Sequence, residues 1–295
     1  MRPSRTLILA IVAGLTASLT CAPPRANAGG ISVDGGLTPA QGRVILRTRV
    51  AYLQRAESWA SKPSMEMFMV PFVAAWGVLP ELTLMARTSV MHMRTSMIDD
   101  GMMGDGMVDS GDSSKTGMGD LLVQAKYKLY RHNSRNWVLG VAPTFGIESP
   151  TGTNGFSSDS FDTRAGIHVT QRWHRLSGDL TASYAWNGMA GVDSDEADPG
   201  DELQVNLAIS HTFAVPGAPK LALTPVLEFS AGWEGVENGK DFDGLEAYLY
   251  LSPGLLFVTR WVILEALVQL PVWQENPASA LERNIGLLTG LRFLL

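Results

Sequence analysis

The stretch Glu202–Phe213, ELQVNLAISHTF, decides the fold class of this chain. Leu203, Val205, Leu207 and Ile209 alternate with polar residues at almost every intervening position. In a β-strand successive side chains point to opposite faces, so a period of two gives one apolar and one polar face. The stretch is therefore predicted to be an amphipathic strand and not a helix, whose apolar positions would recur every three or four residues.

The same alternation recurs about twelve times, in segments of roughly 10–14 residues. That length suits a tilted strand that crosses a bilayer, whereas strands of soluble proteins average about 5–6 residues. The segments begin near Arg43, Met65, Glu81, Met118, Trp137, Phe161, Leu176, Asp201, Leu221, Gly244, Arg260 and Glu282.

Connections between the segments alternate between short and long. The short ones are 77–80, 132–136, 174–177, 216–220 and 258–259; the long, polar ones are 57–64, 96–117, 149–160, 187–200, 235–243 and 274–281. Short periplasmic turns and long extracellular loops are typical of outer-membrane barrels. We therefore expect an all-β fold, a transmembrane antiparallel up-and-down β-barrel of about 12 strands with both termini in the periplasm. A soluble β-sandwich is the alternative, but nothing in such a fold demands this alternation.

Tryptophan positions support a membrane barrel independently. Four tryptophans fall beside short turns and three at the long-loop ends of segments, and only Trp59 departs from the pattern. Aromatic girdles occupy these two levels in membrane barrels. The seven are Trp76, Trp137, Trp173, Trp261, Trp186, Trp233 and Trp273.

Residues 1–28 read as a cleaved secretory signal peptide. Arg2 and Arg5 precede the short apolar run Leu7–Leu19, and Ala26-Asn27-Ala28 supplies a small-x-small cleavage site. Residues 29–295 then form the outer-membrane domain. Lipidation of Cys21 is an alternative, although Ser18-Leu19-Thr20 matches the usual lipoprotein pattern poorly.

Composition excludes several classes of protein. Removing residues 1–28 takes away three arginines and no acid, which leaves 20 basic and 29 acidic residues, a net charge of −9. Such a chain lacks the basic surface that nucleic-acid binding requires, so no nucleic-acid partner is expected. The mature chain also lacks cysteine, which excludes disulfides and thiolate sites. After residue 28 no run of about 18 apolar residues occurs, so no transmembrane helix is predicted.

Alternation assigns ionisable residues to the inner face, because charges that face lipid are costly. They either form a salt-bridged interior that only supports the barrel, or line a pore that selects solutes by charge. Arg43, Arg47 and Arg49 would form a basic ladder, with Arg292 of the last strand as its neighbour after closure. The predicted lumen-lining residues are Arg43, Arg47, Arg49, Glu81, Arg87, Lys126, Lys128, Asp162, Arg164, His168, Arg172, Asp179, Glu202, Glu228, Glu246, Glu265 and Arg292.

A methionine- and aspartate-rich stretch, residues 91–118, carries seven of the 13 methionines. Thioethers are soft ligands suited to Cu(I), so a copper-handling role is one hypothesis. The other is a flexible acidic loop whose methionines make adaptable apolar contacts. No metal site is assigned, because the spacing is irregular and only His92 lies near.

Catalytic motifs are absent from the sequence. A barrel phospholipase needs a serine, a histidine and an amide together at the outer rim. His132 and His174 fall in short turns, His168 falls inside, and His92 and His211 lack suitable partners nearby in sequence. We expect neither enzymatic activity nor a cofactor.

Three sequence elements carry a family resemblance. They are Leu79–Leu84 (LPELTL), Gly117–Leu121 (GMGDL) leading into Lys126-Tyr127-Lys128, and Phe145–Gly152 (FGIESPTG). In this order they resemble the outer-membrane family named for the MetA pathway of phenol degradation, whose members are often called transporters. The resemblance covers most of the mature chain and implies an outer-membrane barrel and, by the family's name, uptake of hydrophobic aromatic compounds.

The sequence thus predicts a monomeric outer-membrane channel that passes small solutes through a charged lumen and is gated by loop 96–117. A non-conducting binding or structural barrel is the alternative, together with the copper-handling role. The expected partners are outer-membrane lipid, the barrel-assembly machinery and a small-molecule solute. Assembly signals usually end in an aromatic residue, whereas this chain ends LRFLL; Phe293 keeps the outward phase, so we expect insertion to proceed.

Overall fold

A computed structural model describes residues 30–56, 64–96, 112–188, 198–238, 241–275 and 281–295. Throughout these ranges the regular structure is β. The strand segments are β1 (Val44–Ala56), β2 (Ser64–Gly77), β3 (Leu82–Ser96), β4 (Ser113–Met118), β5 (Leu121–Tyr127), β6 (Tyr130–Asn133), β7 (Trp137–Ser149), β8 (Asp162–Trp173), β9 (Leu176–Trp186), β10 (Asp198–His211), β11 (Phe213–Val215), β12 (Ala218–Asn238), β13 (Asp241–Val258), β14 (Val262–Glu275) and β15 (Gly286–Leu294). The described residues contain no helix long and apolar enough to cross a membrane.

These segments build a closed antiparallel barrel of 12 strands. β4, β5 and β6 are successive pieces of one strand, and β10 and β11 are pieces of another. Neighbours in the chain pair in order, and β1 closes the barrel on β15 from Ile45↔Leu294 to Tyr52↔Leu287. Closure removes the free sheet edges, whose unpaired backbone groups could not exist in lipid. The predicted all-β barrel is confirmed.

The outer face of the barrel is apolar. Large side chains such as Phe72, Phe145, Ile167 and Leu264 are about half exposed. A belt of this kind is unfavourable in water and suits contact with acyl chains.

Tryptophans frame this apolar belt. Trp76, Trp173, Trp186 and Trp273 are exposed near strand ends, Trp261 is exposed in the turn before β14, and Trp137 pairs across strands with Trp173. Trp233 is also exposed but lies five residues before the end of β12. Trp59 lies outside the described residues.

One predicted connection is shorter than expected. Pairing of β12 and β13 continues from Ala222↔Val258 to Asn238↔Asp241, so stretch 235–243, predicted as a long loop, is largely a paired hairpin. The sequence did not reveal this extension, because backbone hydrogen bonds can continue a hairpin beyond the membrane without the apolar alternation that contact with lipid requires.

A second predicted connection, loop 96–117, is also shorter than expected. β4 begins at Ser113 within this loop and pairs with β3.

The described residues before β1 do not join the barrel wall. Residues 30–41, here called the inner segment, lie inside the barrel, where Ile31 is 0% exposed and Val33 is 2% exposed. Both belong to a buried cluster with Ala208, Val226 and Leu256, residues of the wall. The predicted barrel domain, residues 29–295, has its first strand near Arg43, and nothing in the sequence indicated that the residues before that strand lie inside the barrel.

Candidate functional site

The first residues of the inner segment are held by one wall carboxylate. Glu228 of β12 is fully buried and accepts hydrogen bonds from the backbone N–H groups of Ile31 and Ser32 and from the Ser32 hydroxyl. The Ser32 N to Oε2 distance is 3.0 Å. A buried carboxylate needs such donors, because each unsatisfied lone pair in a water-poor interior is costly.

Arginines of the closing strands hold the carbonyl oxygens of the same residues. Arg49 donates to the Ile31 carbonyl at 2.9 Å, Arg47 donates to the same oxygen, and Arg292 donates to the Gly30 carbonyl at 3.1 Å. Glu265 lies between two of these arginines, at 2.6 Å from Arg47 and 2.7 Å from Arg292. Arg47 and Arg292 are also register partners across the β1–β15 seam, so closure of the barrel creates this group.

The middle of the inner segment binds the opposite wall, β5, β8 and β9. The Asp34 carbonyl accepts a hydrogen bond of 2.7 Å from Thr181, and Lys126 donates to the Gly35 carbonyl. The Gly36 N–H donates to the Thr170 hydroxyl at 2.7 Å. The inner segment therefore bridges opposite sides of the barrel and narrows the lumen.

Asp34 places a negative charge among the basic residues of the interior. Desolvation disfavours its charged form, but Lys126, then His168 and Arg47, outweigh that effect, so the pKa of this carboxyl lies well below its usual range. Asp34 is therefore ionised and adds electrostatic attraction to the backbone hydrogen bonds that hold the inner segment.

Glycine makes the closest approaches of the inner segment to the wall. A Cβ atom on Gly36 would lie 2.5 Å from the Gly140 carbonyl oxygen and 2.6 Å from that of His168. A Cβ atom on Gly140 would meet Leu37 at 2.6 Å. Only glycine allows backbone to pass backbone at this separation.

The predicted lumen-lining residues fall into three groups. Seven contact the inner segment, others interact with further interior residues, and three lie at the short-turn end. The first group is Arg47, Arg49, Lys126, His168, Asp179, Glu228 and Arg292. The second includes Glu265 between its arginines, Arg164 facing Glu202 at 3.9 Å, Asp162 accepting from Ser160 and Gly188, Glu246 paired with Arg283, and Arg172 acting electrostatically on Asp179. Arg87, the remaining residue of the set, lines a cavity together with Arg164 and Glu148.

Three of the predicted residues, Glu81, Lys128 and Arg43, lie at the short-turn end of the barrel. Lys128 lies 3.5 Å from Glu81 and also donates to the Pro80 carbonyl. The backbone N–H of Arg43 donates to the Ala40 carbonyl at 3.0 Å, where the inner segment leaves the barrel. These three residues therefore lie at the short-turn end of the barrel and not in the middle of its interior.

A second charged group near the long-loop end includes residues that the alternation did not single out. Arg283, which precedes β15, binds Glu246 and Glu234 and stacks its guanidinium 4.0 Å from the Tyr248 ring centre. Desolvation opposes its charge, but the bond to Glu246 outweighs it and raises the pKa of Arg283 above its usual value. Because Arg283 lies in a connection, a strand-periodicity argument cannot place it.

The structure brings together two elements of the family resemblance. Asp120 of the GMGDL element accepts hydrogen bonds from the Gly152 N–H at 2.7 Å, the Ser158 N–H at 2.8 Å and the Ser157 hydroxyl at 2.9 Å. The Leu121 N–H donates to the hydroxyl of Thr151 at 2.9 Å. The long connection 150–160, here called the mouth loop, is thereby folded against β4 and β5.

A cavity of about 200 Å³ lies where these elements meet. Here called the chamber, it is lined by four charged residues, Arg87, Arg164, Glu148 and Asp120, and by four apolar ones, Met69, Met91, Leu122 and Phe156. The two kinds are interspersed, because Leu122 is the register partner of both Arg87 and Glu148. Arg87 shares the inward face of Arg47, because Arg47, Val73 and Arg87 are successive register partners across β1, β2 and β3. Phe156 comes from the mouth loop, and Lys115 lies over its ring at 5.1 Å.

The copper hypothesis has no structural support. Residues 97–111, most of the methionine-rich stretch, lie outside the described residues. At its described ends His92 lies 2.7 Å from the Thr116 hydroxyl. Among the described residues no three histidine, cysteine or acidic side chains are grouped as metal ligands would be.

Comparisons with known proteins agree with this architecture. The family described as "Putative MetA-pathway of phenol degradation" matches residues 71–278. No curated protein matches the sequence significantly.

Among solved structures, the "COG4313 outer membrane channel from Pseudomonas putida F1" is similar at a TM-score of 0.62 and 16% identity, covering 91% of this chain and 100% of that one. The β domain of the Bordetella autotransporter BrkA matches at a TM-score of 0.48 and 12% identity, covering 86% of this chain and 100% of that one. The first likeness shows a shared fold. A closed barrel with an apolar exterior places the protein in a bacterial outer membrane.

Proposed function

Because the chain belongs to the family described as "Putative MetA-pathway of phenol degradation", and because its barrel encloses a charged interior, we propose that it carries small solutes across the outer membrane. The observation that carries this proposal is the inner segment. Ionised side chains on opposite walls hold its backbone and leave the chamber, with Arg87 exposed in it, on the long-loop side.

The inner segment would set the narrowest point of the path. It touches β5 and β8 at one end and β12 and β15 at the other, so solute passage requires a small displacement of the segment or a gap beside it. Both signs of charge surround it, so selectivity would follow local arrangement and not overall charge. Gating by loop 96–117 remains part of the prediction, and the mouth loop offers a second element at the same end.

The nature of the cargo follows from the family and not from the fold. The family's description supports aromatic compounds, and the protein would act as a monomer inserted by the barrel-assembly machinery. We expect no catalytic step, since passage through a lumen requires none.

A non-conducting binding or structural barrel is the second candidate. The tight packing of the inner segment favours it, because Ile31 and Gly36 leave no space beside the wall that they contact. The two candidates differ in one measurable property, which is conductance.

Planar bilayer recordings of the purified protein test the proposal. We expect small discrete conductance steps, and we expect Arg49→Glu to lower the preference for anions over cations. Arg47→Glu combined with Arg49→Glu should shift it further, but it also breaks the ion pair of Arg47 with Glu265, so the single variant is the cleaner test. Arg94→Glu, whose 57% exposed side chain pairs with Asp112, is the matched control. Absence of any conductance would favour the non-conducting barrel.

A further inference from the structure

We propose that the chamber binds small monocarboxylates with an apolar body about the size of one aromatic ring. This inference rests on the proposed function and names the class of solute that the path would accept. It comes from the combination, in one small cavity, of two guanidinium groups with four apolar side chains.

The guanidinium groups of Arg87 and Arg164 have unused hydrogen-bond donors. Arg87 is exposed within the barrel, and no hydrogen bond or ion pair within 4.0 Å joins it to another described residue. Arg164 reaches only Glu202, at 3.9 Å, and its buried Nε has no hydrogen-bond partner. A buried donor such as the Arg164 Nε is normally satisfied, and a carboxylate matches the paired N–H geometry of either guanidinium.

The acids of the lining limit the charge of the ligand. Both oxygens of Asp120 accept hydrogen bonds from Gly152, Ser157 and Ser158 of the mouth loop, so they do not bind the arginines, although the carboxylate keeps its negative charge. Glu148 acts electrostatically on Arg87 and Arg164 but lies beyond 4.0 Å from both within the described contacts. Arg87, which no acid contacts directly, therefore suits a single added negative charge, whereas a dianion would be repelled by both Glu148 and Asp120.

The apolar lining residues and the volume of the chamber determine the size and character of the uncharged part of the ligand. Met69, Met91, Leu122 and Phe156 line the same space of about 200 Å³ as the arginines. An apolar cavity of roughly 150 Å³ accepts benzene, so this space fits one ring with a small substituent. Methionine and phenylalanine both make favourable contacts with aromatic rings.

The mouth loop gives the chamber its outer wall. Phe156 is held there by the hydrogen bond from Lys115 to Gly155, at 3.1 Å, and by the anchoring of the loop on Asp120. A solute from outside would meet this chamber before the inner segment. The chamber would therefore concentrate carboxylates at the entrance to the narrowest part of the lumen.

Calorimetric titration of the detergent-solubilised protein tests the proposal with three probes of similar ring size. We expect benzoate to bind more tightly than benzyl alcohol, which lacks the charge, and than phthalate, which carries a second one. Arg87→Met combined with Arg164→Met should weaken benzoate binding about 10- to 100-fold, since charged hydrogen bonds are lost. Arg94→Met removes a charge from the same strand outside the chamber and should leave benzoate binding unchanged.

Arg87→Met alone guards against misfolding, because Arg87 has no described bonding partner to lose; heat-modifiable migration checks that each variant is folded. Equal binding of benzoate and benzyl alcohol, or undiminished benzoate binding in the folded single and double variants, would overturn the proposal. Benzoate binding is measured without conduction, so the two proposals can fail separately. If the protein conducts chloride but does not bind benzoate, the channel function stands and the chamber proposal fails. If it binds benzoate but does not conduct, the chamber proposal stands and the channel function fails.

Discussion

The carboxylate of Glu228 accepts a hydrogen bond of 3.0 Å from the backbone N–H of Ser32, although 196 residues separate them in sequence. This contact ties the chain that precedes the first strand to a strand on the far side of the seam. Because this contact holds the first residues of the inner segment, its loss should change both the stability of the protein and its permeability.

Replacement of Glu228 by alanine should loosen the inner segment. The N–H groups of Ile31 and Ser32 lose their acceptor, and each buried donor left unsatisfied costs about 1–3 kcal/mol. We expect higher single-channel conductance and faster protease cleavage near residue 32. Glu275→Ala, at an exposed carboxylate outside this contact, is the control, and equal conductance in the two variants would contradict the assigned role of Glu228.

Glu265 should matter more for stability than either arginine that it binds. Glu265→Gln leaves Arg47 and Arg292 near each other without a counter-charge, and breaking a buried ion pair in this way costs about 3–5 kcal/mol. Arg47→Met leaves Glu265 still paired with Arg292 and should cost less. Urea unfolding in lipid vesicles measures both, and a larger loss for Arg47→Met would show that the shared carboxylate is not the centre of the group.

Gly36→Ala should displace the inner segment without altering the barrel wall. The added methyl would lie 2.5 Å from the Gly140 carbonyl oxygen, which is backbone and cannot move aside. Gly178→Ala provides the matched control, since nothing lies within 4 Å of its added Cβ. We expect increased conductance only for Gly36→Ala, with unchanged heat-modifiable migration; unchanged conductance in both would mean that the segment does not limit the path.

Asp120→Asn should release the mouth loop. The amide can accept at only one atom, so the hydrogen bonds from Gly152, Ser157 and Ser158 cannot all persist. Limited proteolysis should cut residues 152–158 faster in this variant than in Asp159→Asn, whose exposed side chain lies in the same loop. Equal cleavage rates would argue that Leu121 and Thr151 hold the loop without help from Asp120.

Much of the wall could be predicted from sequence because a membrane barrel repeats one simple constraint. Leu203, Val205 and Leu207 alternate with polar residues since one face meets lipid and the other the interior, and the same demand acts on every strand. The seam between Arg47 and Arg292 followed once the strand count and phase were known. The boundaries were less accurate at β4 and along β12–β13, where strands continue beyond the apolar belt and the constraint disappears.

The interior could not be predicted in the same way. Alternation marks a residue as inward but does not say what it meets, so Glu228 and Lys126 were expected to line the lumen, not to bind residues 31–36. The inner segment has no period, and its glycines, such as Gly36, read equally well as a linker. Arg283 and the contact of Asp120 with Gly152 depend on loops, whose course is not encoded by strand periodicity.

The order of residues alone predicted a transmembrane barrel, because the choice between lipid and water acts locally on each alternate side chain. Only the folded barrel decided that residues 30–41 lie inside it and that Arg87 and Arg164 share a small cavity with apolar side chains. These arrangements join residues that are distant in sequence: Ser32 and Glu228 are 196 residues apart, Gly36 and Thr170 are 134 apart, and the two arginines are 77 apart. They exist only after closure brings those parts together in an interior where each buried charge and backbone group must find a partner.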